Sequence, residues 1–149
     1  MPIFQLFYVS TAISSFDPKE VYNILAKAHD FNPKNDLTGI MMFRGGTFLQ
    51  LLEGPEENVR SLYNKISKDP RHRSCMILME RNTDNRLFSD WSMAYQEIGP
   101  IDLKLVNEIF SWRSLISGSD VDDVKILRLL KIAYRQPNFV VTGNGIIGG

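Results

Sequence analysis

Ile3–Ser10 is a run of aromatic and β-branched residues that predicts a strand, with Phe4, Leu6 and Tyr8 on one face. The spacing then becomes helical. Val21, Ile24, Leu25 and Ala28 form one apolar stripe. Its start is marked by Asp17 as N-cap, Pro18 at the first helical position and Glu20 completing a capping box, with Phe16 and Val21 as a hydrophobic staple. Asn32-Pro33 predicts its end, because a residue before proline avoids the α region. Two further strands, Leu37–Arg44 and Thr47–Glu53, flank Gly45-Gly46, a pair suited to the positive φ of a two-residue hairpin turn. A second helix opens at Gly54-Pro55, with Glu56 and Glu57 at its positive end and Val59, Leu62, Tyr63 and Ile66 along its buried side. Asp69-Pro70-Arg71-His72 breaks it. Strands are predicted again over Cys75–Glu80 and Trp91–Glu97.

The order β-α-β-β-α-β-β, with two right-handed crossovers around a hairpin, predicts an α+β, ferredoxin-like sandwich with both helices on one sheet face. Its first and third strands lie side by side at the centre, which brings Tyr8 toward Gln50. The other face needs a cover. Ile101–Ile116 and Asp120–Arg135 both carry helical periodicity, separated by Ser117-Gly118, and Ser119 with Asp122 resembles a second capping box. The later of the two has more apolar side chains than one sheet-facing stripe uses, so a partner surface or dimer seam is expected there. The expected organisation is a sandwich domain over 1–99, a C-terminal helical pair over 100–136 and a glycine-rich tail over 137–149.

Charge and composition narrow the chemistry. Seventeen basic and 17 acidic side chains cancel, so nothing steers the chain toward nucleic acid or an anionic membrane. The single Cys75 forbids an intrachain disulfide, and two histidines, His29 and His72, are too few for a His-rich metal centre. The N-terminus lacks a signal-peptide pattern and no apolar run approaches about 18 residues. A soluble cytoplasmic protein without metal is expected.

The candidate chemistry begins at Gln50, a carboxamide in the apolar run Thr47–Gly54. Burial there costs free energy unless both its NH2 and its carbonyl find partners. Taken singly, Gln50 reads as bridging backbone groups at a bulge, Tyr8 as a core tyrosine, Asn32 as a helix C-cap, and Trp91, Ser92 and Met93 as an ordinary half-buried strand. The joint pattern is more specific. It consists of Phe-Tyr-Val-Ser on the first strand, Asn-Pro-x-x-x-Leu-Thr-Gly over Asn32–Gly39 and Phe-Leu-Gln-x-Leu-Glu-Gly over Phe48–Gly54. Asp-Pro-Arg-His over Asp69–His72 and Phe-x-x-Trp-Ser-Met over Phe88–Met93 complete it.

These five blocks, in order over residues 3 to 97, resemble the BLUF family of blue-light sensors that use FAD, and the C-terminal helical pair resembles its short, stand-alone members. The resemblance implies one FAD held non-covalently between the two helices, a site that could also take FMN or riboflavin. Ile24 and Ile66 would clamp the ring, and Asn32 would bond its C4 carbonyl/N3 edge. Asp69, Arg71 and His72 would lie near the pyrimidine or ribityl end, although that loop also reads as a cap on the second helix. Lys65 could reach a phosphate but reads as pointing to water. Phe31 stands where some members carry a polar residue, so one flavin contact is expected to be missing. The implied photochemistry is electron transfer from Tyr8 to FAD, proton transfer through Gln50 and recombination. Gln50 is left with altered hydrogen bonds, by rotation or tautomerisation, and the absorption moves to the red. Trp91 and Met93 would relay the change. No enzyme motif accompanies the site, so output is expected in trans on an effector protein, with self-association through the C-terminal helices.

One other module shares the element order. Arg44–Leu51 partly matches the third-strand signature of RRM RNA-binding domains, but Gly46 and Leu51 occupy positions where that signature carries stacking aromatics.

Overall fold

A computed structural model of the chain describes residues 2–89, 92–97, 139–142 and 145–148. The elements are β1 (Ile3–Ala12), α1 (Glu20–Lys34), β2 (Thr38–Arg44), β3 (Thr47–Gly54), α2 (Glu56–Ser67), β4 (His72–Thr83), β5 (Met93–Glu97), β6 (Phe139–Thr142) and β7 (Gly145–Gly148). Their order in the sheet is β4-β1-β3-β2-β5-β6-β7. The first four strands are antiparallel neighbours in ferredoxin-like order, as expected, and β5 joins β2 in parallel. The β1–β3 register sets Tyr8 directly opposite Gln50.

The two faces divide by strand alternation. Leu6, Tyr8, Phe48 and Leu52 meet Val21 and Leu25 of α1 and Val59 of α2. On the opposite face Phe7, Ile40, Met42, Leu49 and Leu51 are buried as well. Fully burying a Leu or Phe contributes roughly 1.5–3 kcal/mol, so both layers matter to stability. The helical pair expected to cover this second face, 101–116 and 120–135, lies outside the described residues, together with its Ser119/Asp122 cap and Trp91. Gly45 and Gly46, at φ 60 and 83, make the predicted hairpin turn. Gly39 allows a close approach, since a Cβ there would lie 2.0 Å from the Leu51 carbonyl oxygen.

Several boundaries differ from those predicted. Pro33 does not end α1 but lies inside its last turn. A proline in the last turn gives up its own N–H bond and crowds one carbonyl, and the Asn32 carbonyl still closes the helix by accepting from Asn35 N–H at 3.1 Å and Leu37 N–H at 2.9 Å. The left-handed residue is Asp36, at φ 56, not Asn32. The capping box at the other end does not form. Asp17 Oδ1 accepts from Lys19 N–H at 2.9 Å, while the Glu20 carboxylate turns to Asn23 and Arg71. Phe16 packs edge-on against Phe48 at 5.2 Å, fixing the chain's entry into the helix. β4 is longer at both ends than Cys75–Glu80, because its ladder with β1 extends from Ala12 opposite His72 to Ile3 opposite Thr83 and absorbs two register shifts. The segment that reads as a glycine-rich tail contributes β6, paired with β5, and β7, paired with β6.

Candidate functional site

β1 and β3 are central strands, so side chains on their helix-facing side are sealed from water. Tyr8 and Gln50 are only 3% and 6% exposed. A buried carboxamide must place two donors and an acceptor. The Tyr8 hydroxyl donates a hydrogen bond to Gln50 Oε1, and Gln50 Nε2 donates to Met93 Sδ at 3.5 Å. One amide hydrogen of Gln50 is left without a partner among the described residues. Burial, reinforced by Cys75, Tyr63 and Asp69, holds the Tyr8 phenol well above its ordinary pKa, so it is a neutral donor. The Tyr63 ring lies 5.2 Å from that of Tyr8.

Asn32 is held on α1 at 2% exposure, and its Nδ2 donates to the Ser92 carbonyl at 2.7 Å. Its Oδ1 remains an available acceptor among the described residues. On the far side, Asp69 receives the Arg71 guanidinium at 2.6–3.1 Å and the Arg71 backbone N–H at 2.9 Å. The hydrogen bonds from Arg71 lower the Asp69 pKa, and those to Asp69 raise that of Arg71. Arg71 also reaches Glu20 at 3.5 Å, tying the start of α1 to the turn after α2. His72 Nε2 donates to the Ile66 carbonyl at 2.5 Å, which leaves Nδ1 to accept from the Ser10 hydroxyl at 2.7 Å. The sequence-level alternative for this loop therefore holds in part: His72 does cap α2. Burial keeps the nearby Cys75 thiol above its usual pKa, away from thiolate chemistry.

These groups surround one cavity of about 500 Å³ between α1 and α2. Tyr8, Ile24, Asn32, Gln50, Ile66, Asp69, Arg71, His72 and Met93 all line it. Of the candidate site residues, Trp91 lies outside the described residues. Lys65 is exposed, as expected, and it also borders the cavity, with its ammonium 4.9 Å above the Phe31 ring. Sequence reasoning missed Met41, Phe48 and Leu62, which also line it. The signal for Met41 was present. A two-residue turn at Gly45-Gly46 pairs Arg44 with Thr47, and counting back pairs Met41 with Gln50.

The donor set suits a flat, polar-edged ring between two helices. Apolar walls, an unfilled amide hydrogen on Gln50 and an unfilled carbonyl on Asn32 match the acceptor atoms and the imide N–H that the edge of an isoalloxazine presents. The arrangement does not suit RNA stacking. Phe48, within the third-strand signature of an RRM, is buried against the helices instead of exposed for stacking.

Comparison with known proteins agrees. The sequence model of the family described as BLUF, sensors of blue-light using FAD, matches residues 3–94. The chain is 43% identical over 61 residues to the blue light- and temperature-regulated antirepressor BluF of Escherichia coli (strain K12), covering 41% of this chain and 15% of that protein. BlsA in its photo-activated state superposes with a TM-score of 0.76 at 25% identity, covering 90% of this chain and 96% of that one. The dark-state structure of BlrB, a BLUF protein, superposes with a TM-score of 0.67 at 25% identity, covering 89% and 97%.

Proposed function

The chain belongs to the BLUF family of blue-light sensors that use FAD, and from that membership we propose that Tyr8 and Gln50 carry its photochemistry and Met93 the first step of its output. The observation behind this reading is the placement of the Gln50 amide, clasped between the Tyr8 hydroxyl and the Met93 sulfur with one hydrogen free in the cavity. Bound in the cavity, FAD supplies the light-absorbing ring and, once excited, the oxidising power. Ile24 and Ile66 would bracket the ring, and Asn32 would offer it Oδ1. Asp69, Arg71 and His72 hold the far end of the cavity, where their mutual bonds keep the two helices in place.

Tyr8 is the electron donor. As it is oxidised its hydroxyl becomes strongly acidic, and the proton has one acceptor at hand, Gln50 Oε1. Gln50 would pass a proton from Nε2 to bound FAD, which would hold both that proton and the Tyr8 electron, and on recombination both would return to Tyr8 through Gln50. Gln50 is left rotated or tautomerised. Rotation would turn Oε1 toward Met93, whose thioether has no hydrogen to give. The Gln50–Met93 bond would then be lost, which links the photochemistry to β5. A tenfold change in partner affinity needs only about 1.4 kcal/mol, roughly one hydrogen bond.

We read the chain as a sensor rather than an enzyme, acting in trans on an effector protein. The apolar surplus along Asp120–Arg135 supports self-association as part of that output. No described helix is long and apolar enough to cross a membrane, and a cytoplasmic location is part of this reading. One absorption spectrum before and after blue light tests the reading. A yellow protein whose flavin band moves reversibly to the red is expected. A colourless protein that takes up no added FAD refutes it.

A further inference from the structure

Glu53 is a fully buried carboxylate that the photochemistry leaves unused. It is the end point of a polar row crossing four strands at one register level: Arg81 stands opposite Gln5, Gln5 opposite Glu53, and Glu53 opposite Thr38. The donors all run toward Glu53. Arg81 Nε donates to Gln5 Oε1 at 2.7 Å, Gln5 Nε2 to Glu53 Oε2 at 2.7 Å, and Thr38 Oγ1 to Glu53 Oε1 at 3.3 Å. Arg86 donates to Thr38 Oγ1 at 2.9 Å. A buried carboxylate is tolerated only when donors fill its lone pairs. The last two donors are backbone groups, Leu87 N–H at 2.6 Å and Phe88 N–H at 2.8 Å.

Leu87 and Phe88 open the segment that leads into β5, and the far end of that segment is already spoken for. The Ser92 carbonyl is held by Asn32, and Met93 Sδ by Gln50. Gln50 and Glu53 are three residues apart on β3, so they project from opposite faces. Leu87–Phe88 and Met93 are thus each fastened to β3, the first pair by the Glu53 carboxylate and Met93 by the photoactive amide. We propose that Glu53 is a positioning residue of the photoswitch. It anchors the entry of the segment, so that a change at Gln50 displaces β5 instead of being absorbed by slack in the loop. The inference rests on the flavin reading above.

Hydrogen–deuterium exchange of the FAD-loaded full chain, in the dark and under blue light, tests it. Wild type is expected to show slow exchange at Leu87 and Phe88 and a light-dependent change over 93–97. Glu53→Gln sets an NH2 group against one of the two loop N–H groups. It should speed exchange at Leu87 and Phe88 by about tenfold and abolish the light-dependent change, while leaving the red shift in place. The exchanged pair Gln5→Glu/Glu53→Gln returns the charge to the row beside Arg81 but still offers the loop one carbonyl oxygen instead of two. It should recover stability without recovering coupling, and it carries the test if the single variant does not fold. A wild-type light response over 93–97 in either variant overturns the proposal. So does a wild-type chain that shifts to the red with no change over 93–97, which would leave the flavin reading intact. A wild-type chain with no red shift overturns the flavin reading itself.

Discussion

Removing the Tyr8 hydroxyl tests stability and photochemistry at the same point. Tyr8→Phe deletes the donor to Gln50 Oε1 inside a pair that is 3% and 6% exposed. The loss is the cost of leaving a buried amide oxygen unpaired, about 1–3 kcal/mol. Gln50→Leu keeps the volume but strands the phenol hydroxyl in the same way, and it also frees Met93. The double variant removes both polar partners, so its cost should be less than the sum of the two singles. The coupling should be about 1–3 kcal/mol, as for groups in direct contact. In dark-state urea unfolding, with slopes of about 1–3 kcal/mol/M for a domain of this size, each single variant should lower the midpoint by roughly 1 M. Both should bind FAD, and neither should give the reversible red shift. Strictly additive costs would refute the hydrogen bond as an energetic link. A normal red shift in either single variant would refute the relay.

Three further outcomes follow. Met93→Ala should leave the red shift largely intact but reduce any light-dependent change in size, read by size-exclusion chromatography in dark and light. Gly39→Ala should destabilise the domain by about 1–3 kcal/mol through overpacking, because its Cβ would meet the Leu51 carbonyl oxygen at 2.0 Å with only backbone to yield; a thermal melt checks this. The lowered pKa of Asp69 means that its ion pair with Arg71 contributes fully above the ordinary Asp range and is lost as pH falls through and below it. FAD release followed by fluorescence should therefore steepen in acid for wild type and lose that component in Asp69→Asn.

The sequence alone determined the order of elements from β1 to β5, the hairpin and the residues to look for at a candidate site. Those features are local: strand alternation, helical spacing, a Gly-Gly turn, and five short blocks whose order cannot be rearranged. It also contained more than was drawn from it. The reasoning that singled out Gln50, a polar group in an apolar strand, applies equally to Gln5 in Ile3–Ser10 and to Glu53 at the end of Thr47–Gly54.

Only the tertiary structure decided how those polar groups are satisfied. Partners 42 residues apart for Tyr8 and Gln50, or 60 for Asn32 and Ser92, are set by sheet register and by where α1 crosses it, which no local window encodes. The same holds where local rules yielded. Pro33 stays helical because the Asn32 carbonyl closes the turn and its side chain is fastened to Ser92. Glu20 leaves its capping box because Arg71, distant in sequence, offers it a charge. The tail joins the sheet because β5 presents an open edge, and backbone N–H and C=O groups seek a ladder whatever side chains accompany them.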